Sequence, residues 1–404
     1  MYKLDGWTAT SAIVRDMRIE VKLSFDLRYN FCCPKCHTLL KTHRKREICV
    51  RDLPILDKNV LLFVDTMQGF CVACKRFYTL RPSICHPSFG YTWRLMRTLS
   101  RLLVQTSARF LEDVYAIPRS SLLRIDREVL RHDIPKPKLD HLQGVLIDEK
   151  YIGARKGFVT LALNARTGEP LEMSCGRDSK CLDAFFARFS DEQKKQIKYL
   201  GIDRSNAYKA AALKHIPHIQ VCYDAYHLVS NMNEVLDEIR RSIMKNPSDD
   251  LRCLMKGKRF ILLKGREKIG QDARADLREL YMLNRELYVA YLLKEDFRRV
   301  FRAKEENEAI MRLIHWIRMS MKSKVAPLMR FARGIREKFN EIINAVRYRI
   351  NSSRIESANA AIKRIQAKAC GLFDVEYLLL KLRQIYFMRL QKRYKTPRFF
   401  YQQI

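Results

Sequence analysis

Leu142-Gln143-Gly144-Val145-Leu146-Ile147-Asp148-Glu149 reads as a buried strand that runs into a carboxylate. Ile197-Lys198-Tyr199-Leu200-Gly201-Ile202 runs in the same way into Asp203. A third carboxylate, Glu356, sits near the start of a long amphipathic segment, within Asn351-Ser352-Ser353-Arg354-Ile355-Glu356-Ser357-Ala358-Asn359. Two strand-end aspartates and one helical glutamate can converge on one point and hold two divalent cations, Mg²⁺ or Mn²⁺. Two such ions, about 3.5–4 Å apart, activate a water or a 3′-hydroxyl and stabilise the leaving oxygen in phosphodiester chemistry.

The elements around these carboxylates follow in a definite order. Residues 157–163 alternate like a strand, 166–169 (Arg-Thr-Gly-Glu) read as a hairpin turn, and 170–174 as the next strand. Residues 179–196 read as a helix, the Asp203 strand follows, and a helix over 206–215 leads to a strand over 218–223. The order β-β-β-α-β-α-β-α is that of an RNase H-like fold, an α/β class with a mixed sheet. From about 236 to 349 the sequence is helical and basic. It reads as a large all-helical insertion over 237–349, dividing the RNase H-like core into 139–236 and 350–404. Leu277, Leu280, Leu283 and Leu287 give that insertion an apolar face, which predicts a separate lobe. Lys256, Lys258 and Arg259 within it are candidate DNA contacts.

Each carboxylate also has a plainer role to weigh. Asp148 could end a strand in solvent, Asp203 could cap the next helix, and Ser353-Arg354-Ile355-Glu356 fits a capping box. Their joint placement at three corresponding points of the element order favours the site. Asp224-Ala225-Tyr226-His227 opens the helix after the last strand, and its Asp224 and His227 read as a supporting pair beside the site.

The first 86 residues are cysteine-dense. Cys33-Pro34-Lys35-Cys36 and Cys71-Val72-Ala73-Cys74 are two knuckles, and two knuckles make one tetrahedral structural Zn²⁺ site. Strands around 47–53 and 60–65 would join them as a β-ribbon. Cys32 could replace Cys33, and Cys49 and Cys85 read as packing residues. Residues 87–138 read as three short helices. Trp93, Met96, Leu99 and Leu103 form the first apolar face, Phe110, Leu111 and Val114 the second, and Leu122, Ile125 and Val129 the third. Ser107 reads as a cap, and Arg119, Arg124 and Arg127 lie outside the third face, a helix-turn-helix pattern for DNA binding. Pro135 and Pro137 mark a linker.

Composition agrees. The formal net charge is +33, from 77 Lys+Arg against 44 Asp+Glu, which points to a polyanion partner. A hydrophobic content of 47 % excludes a simple disordered basic tail. No apolar run approaches the ~18 residues of a membrane span, and Asp5 and Asp16 leave no room for a signal peptide core. The expected location is cytoplasmic, on DNA when bound to it, with no membrane partner.

On these features the chain resembles the DDE transposases of bacterial insertion sequences, in the ISL3 family. The resemblance covers almost the whole length. It rests on the paired knuckles, Arg51-Asp52-Leu53-Pro54, the helix-turn-helix, Ile147-Asp148-Glu149, Ile202-Asp203, Asp224-x-x-His227, and Ile355-Glu356-x-x-Asn359-x-x-Ile362-Lys363, continuing through Ala369-Cys370-Gly371. It implies that Asp148, Asp203 and Glu356 are a catalytic triad. It implies further that the N-terminal modules recognise the terminal inverted repeats of the element, and that double-stranded DNA is cut and joined to a target. A homodimer or higher assembly on DNA is expected. Ser357 stands where relatives often carry Gly, and Arg204-Ser205-Asn206 replaces a more aromatic stretch; neither removes a ligand. Two alternatives are a transposase-derived DNA-binding regulator and a junction-resolving nuclease on the same fold. An intact triad argues against the first, the N-terminal modules and the insertion against the second.

Overall fold

The computed structural model describes residues 4, 6–26, 28–154, 157–203, 206–256, 259–369 and 374–394. They form two compact units, one built on Met1–Pro135 and one on Lys136–Thr396.

The first unit is a five-stranded sheet followed by three helices. Strands β1 (Trp7–Val14), β2 (Arg18–Phe25), β3 (Lys41–Ile55), β4 (Lys58–Cys71) and β5 (Arg76–Leu80) pair in the order β1-β2-β4-β3, with β5 also on β4. The β3–β4 hairpin is far longer than the two short strands expected between the knuckles, and β1 and β2 were not expected at all. In β1 only Trp7 is buried, so no alternation marks it. In β4, Val60, Leu62 and Val64 alternate inward and carry the core.

Helices α1 (Trp93–Gln105), α2 (Ala108–Tyr115) and α3 (Arg119–Asp133) follow. Ser107 caps α2 as expected, its side chain accepting from the Phe110 N–H. Ala116 turns the chain with φ +48° before Pro118 opens α3. The core joins Trp93, Met96 and Leu99 of α1 to Leu111 of α2 and Leu122, Ile125 and Val129 of α3. The face expected on α2 is corrected: Phe110 and Val114 are exposed and only Leu111 is buried. Two helical turns align a single residue with so small a core. Buried Asp52 fastens the hairpin to α1, accepting from Thr92 Oγ1 at 2.6 Å and Arg94 Nε at 2.7 Å.

In the second unit, β6 (Gly144–Tyr151), β7 (Phe158–Asn164) and β8 (Pro170–Cys175) form an antiparallel meander. Helices α4 (Ser179–Phe186) and α5 (Asp191–Gln196) lead to β9 (Tyr199–Ile202), α6 (Asn206–His215), β10 (Gln220–Tyr223) and α7 (Ala225–Ile243). The single helix expected over 179–196 is thus two, because Ser190 and Gln193 form a capping box that starts α5 afresh. The sheet order is β10-β9-β6-β7-β8, with β6, β9 and β10 parallel.

A helical run follows: α8 (Asp249–Met255), α9 (Arg259–Leu263), α10 (Gln271–Leu283), α11 (Arg285–Val300), α12 (Glu306–Lys322), α13 (Ala326–Glu337) and α14 (Phe339–Arg347). Helices α15 (Ser353–Lys368) and α16 (Val375–Tyr394) end the described chain. The sheet alternates between two cores. Val145, Ile147, Leu200, Ile202, Val221 and Tyr223 face one core, and Leu146, Val159, Leu161 and Leu163 face another built with α15 and α16. The first core continues without a break through Leu277, Leu280, Leu287, Phe297 and Trp316. The expected separate lobe is therefore corrected: these helices share the core of the sheet. No helix among the described residues is long and apolar enough to cross a membrane.

Candidate active site and metal centre

Three carboxylates lie just past the parallel pairing of the sheet: Asp203 and Asp224 follow β9 and β10, while Asp148, expected at a strand end, lies inside β6, which runs on to Tyr151 against β7. Leu146 is level with Gly201, and Ile202 with Tyr223. Two residues beyond the last β6–β9 pair, Asp148 is therefore level with Asp203, and Asp224 follows Tyr223 as Asp203 follows Ile202. The Asp224 N–H donates to the Ile202 carbonyl at 3.0 Å. Side chains alternate along a strand, so Asp148 has the parity of Leu146 and Asp203 that of Gly201. An added Cβ at Gly201 would stand 2.5 Å from the Leu146 side chain. That close approach requires glycine and keeps the two strands adjacent.

Helix α15 crosses this face. Glu356 lies in its first turn and is exposed, and Asn359, one turn on, donates from Nδ2 to Asp148 Oδ2 at 2.6 Å. Residues three apart share a helix face, so Glu356 and Asn359 both address these carboxylates. The capping-box alternative for Glu356 is corrected: the cap is Ser352, with no side-chain cap bond. Asn359 Oδ1 is buried and has no hydrogen-bond partner among the described residues.

Charges record the same convergence. Asp224 is buried and caps α7, its carboxylate accepting from the Tyr226 N–H at 2.9 Å. Burial pushes its carboxyl above the ordinary range, and the charges of Asp148 and Glu356 push the same way, against the Tyr226 N–H and His227. His227 Nε2 stands 3.9 Å from Asp224 Oδ2. Glu149 is also pushed up, first by burial, with Asp203 and Asp148 adding to it. Asn359 and Glu149 stand within the motifs that carry the family resemblance, but sequence reasoning gave neither a role in the site. The only signal for Asn359 was its place three residues after Glu356. Among the described residues, the four cysteines alone bring three or more potential ligand atoms within 4.8 Å of one another; the carboxylates stand wider apart.

The cysteine centre is compact. Cys36 Sγ lies 3.4 Å from Cys71 Sγ and 3.4 Å from Cys74 Sγ, and Cys33 Sγ lies 3.9 Å from Cys74 Sγ. A disulfide needs ~2.05 Å; a tetrahedron of sulfurs ~2.3 Å from a central Zn²⁺ has edges of about 3.8 Å. The donor set thus fits a tetrahedral metal ion. In each knuckle a backbone N–H points back at the first sulfur, that of Lys35 at Cys33 Sγ and that of Cys74 at Cys71 Sγ. The residues after them, His37 and Lys75, have φ +59° and +51°. Thr38 draws the Cys36 thiol down to about 6 through its hydrogen bonds, while Cys74, bonded to Cys36 and then burdened by burial, is held up to about 12. Cys33 occupies the cluster in preference to Cys32. Cys85 is buried as expected, but Cys49 is exposed on β3, since its neighbours Ile48 and Val50 turn toward the core.

The candidate DNA contacts differ among themselves. Arg119 is exposed and paired to Glu112 at 2.8 Å, and Arg124 is exposed and lies over the Phe89 ring at 5.4 Å. Arg127 is half-buried, a correction to its expected outward position, because it follows the buried pair Ile125 and Asp126 toward the core. Lys256 is exposed at the end of α8; Lys258 and the Arg259 side chain lie outside the described residues.

Comparison with known proteins bears on the same residues. A profile of DDE transposases of the ISL3 group, described as transposase, matches residues 145–382, more than half of the chain. The transposase for insertion sequence element IS1001 of Bordetella parapertussis is 26 % identical over 355 residues, 87 % of each chain. The transposase for insertion sequence element IS1557 of Mycobacterium tuberculosis is 24 % identical over 340 residues, 78 % of this chain and 69 % of its own. The matched span begins in β6, ends in α16 and contains Asp148, Asp203 and Asp224 together with Glu356 and Asn359, and by that match the chain belongs to the ISL3 transposase family.

Proposed function

We propose that this protein is a DNA transposase that binds the terminal inverted repeats of an insertion sequence and uses Asp148, Asp203 and Glu356 to cleave and transfer DNA strands. What carries the proposal is the bond from Asn359 to Asp148, which ties the Glu356 helix to the β6 aspartate. The strand order β10-β9-β6-β7-β8, with a meander on one side of β6 and parallel strands on the other, supports an RNase H-like core.

The roles follow from position. Asp148 projects from within β6 and Asp203 from the end of β9, on a sheet that holds them rigidly, and Glu356 would reach them from α15. Asn359 fixes one oxygen of Asp148 and leaves the other oxygen for a cation. Divalent ions such as Mg²⁺ or Mn²⁺ supply an activated nucleophile and charge stabilisation at the leaving oxygen. Asp224 is the residue suited to hold a proton, since burial and two neighbouring carboxylates favour its neutral form. No covalent nucleophile is required.

The four cysteines would hold one structural Zn²⁺ and stiffen the long hairpin. Helices α2 and α3 would engage the DNA end, with Arg119 and Arg124 toward phosphates or bases. Transposition joins two ends, so a dimer or larger assembly on DNA is part of the proposal. The test is direct: protein, Mn²⁺ and a labelled duplex of the element's own terminus should give cleaved and joined products. Binding without either product would overturn the enzymatic assignment and favour a regulator.

A further inference from the structure

A cavity of about 320 Å³ opens between the β7–β8 turn, the first two turns of α15 and the middle of α16. Leu382 and Ile385 form an apolar wall, and Arg354, Ser357, Tyr386 and Arg389 a polar one. None of the described residues that line it is acidic. Arg389 Nη1 donates to Ser357 Oγ at 2.8 Å, and Arg354 donates to the Ala165 carbonyl. Both guanidiniums are thereby fixed in position, and each has further N–H donors, five in all. Ser353, Arg354 and Ser357 share the first turns of α15 with Glu356, so the cavity and that carboxylate lie on adjoining faces of one helix.

We propose that this cavity takes a single unpaired nucleotide of the DNA strand beside the cleaved phosphate. Its base would lie against Tyr386 and the apolar wall, and its phosphate on Arg354 and Arg389. The assignment rests on the carboxylate site acting on DNA. Small-molecule pockets run from about 300 to 1,000 Å³; this one suits one nucleotide and excludes a duplex. An aromatic face with an apolar wall recognises a base by stacking, independent of sequence. Immobilised guanidiniums recognise phosphate. A paired nucleotide reaches such a cavity only by leaving the base stack, which enzymes acting on DNA achieve at the cost of unpairing. One consequence is that a strand held in this way is anchored on α15 itself, in register with Glu356.

The test is a mismatch scan. Single mismatches are walked through duplexes of the element's terminus around the cleaved phosphate, and binding to the full-length protein is measured without divalent ions. A mismatch removes the unpairing cost, so one position should bind about tenfold more tightly than the paired duplex. Ser357→Phe, which fills the cavity, and Arg389→Ala, which removes a phosphate partner, should each abolish that difference with an unchanged melting temperature. A flat scan, tightening at every position, or tightening that survives both variants overturns the proposal. Cleavage of the same paired duplex in Mg²⁺ is followed alongside, with Glu356→Gln as control. If cleavage stands and the scan is flat, only the cavity assignment fails; if cleavage is absent, the carboxylate reading fails and the cavity assignment falls with it.

Discussion

Asn359 is the residue on which the candidate site turns. Its amide holds Asp148 while its own carbonyl oxygen stays buried without a partner among the described residues. Asn359→Ala should lower the cleavage rate about 10–100-fold, the usual effect of losing a residue that orients a ligand, and leave affinity for the DNA end within about twofold. Equal losses of rate and affinity would show a structural role instead. Asp224 gives a second residue-scale test. Its carboxyl is raised in the fold, so between its ordinary value of 3.8 and the raised one the native state binds more protons than the unfolded chain. Stability contributed by that group therefore falls as pH rises through this window. Asp224→Asn keeps a good helix cap and should raise the melting temperature of metal-free protein at neutral pH, with the gain vanishing below pH 3.8. An apolar run that stops at an acid marked the end of β9 before Asp203, whereas β6 runs on past Asp148 to Tyr151, because its outer half still pairs with β7. The Asn359–Asp148 bond was not legible, since it joins residues 211 apart. The capping box at Ser353 was a local pattern that the helix start at Ser352 displaced.

Among the elements, the β3–β4 hairpin carries the most organisation. It places one knuckle before β3 and the other at the end of β4, and Asp52 fastens it to α1. Removing the metal should therefore weaken the hairpin first. Elemental analysis should give one zinc per chain; Cys36→Ser should abolish it and lower the calorimetric transition of the first unit, leaving that of the second in place, and an unchanged first transition would count against a structural metal. Lys294 of α11 is the corresponding fixed point of the helical run. It is fully buried and donates to the Leu262 carbonyl at 2.8 Å, the Lys264 carbonyl at 2.7 Å and Glu295 at 2.7 Å. Lys294→Ala leaves the Leu262 and Lys264 carbonyls without this donor, while Glu295 keeps Arg298 at 3.2 Å, and should cost roughly 1–3 kcal/mol for each buried acceptor left unpaired, read in denaturant unfolding. The helices of this run were legible from their leucine spacing. Their shared core with the sheet was not, because an apolar face does not reveal what it will pack against. The outer ribbon β1–β2 escaped for the opposite reason, having too few buried residues to leave a period.

At the scale of the whole molecule, the charge of +33 and the family membership point to the same partner. Binding to DNA should be steeply salt-dependent, with log K falling roughly 0.9 per log unit of salt for each phosphate neutralised. Protein lacking residues 1–138 should lose its preference for the element's terminus and retain weak general binding. A truncated protein that still selects the terminus would move recognition to the second unit. The central claim is that Asp148, Asp203 and Glu356 act as one site, and cleavage by single variants tests it most directly. Asp148→Asn, Asp203→Asn and Glu356→Gln are each incubated with Mn²⁺ and the labelled terminus, and cleavage, joining and end affinity are measured together. Each variant should lose cleavage and joining alike while binding the end as tightly as the wild type; an Asp203→Asn protein that cleaves at the normal rate would contradict the account.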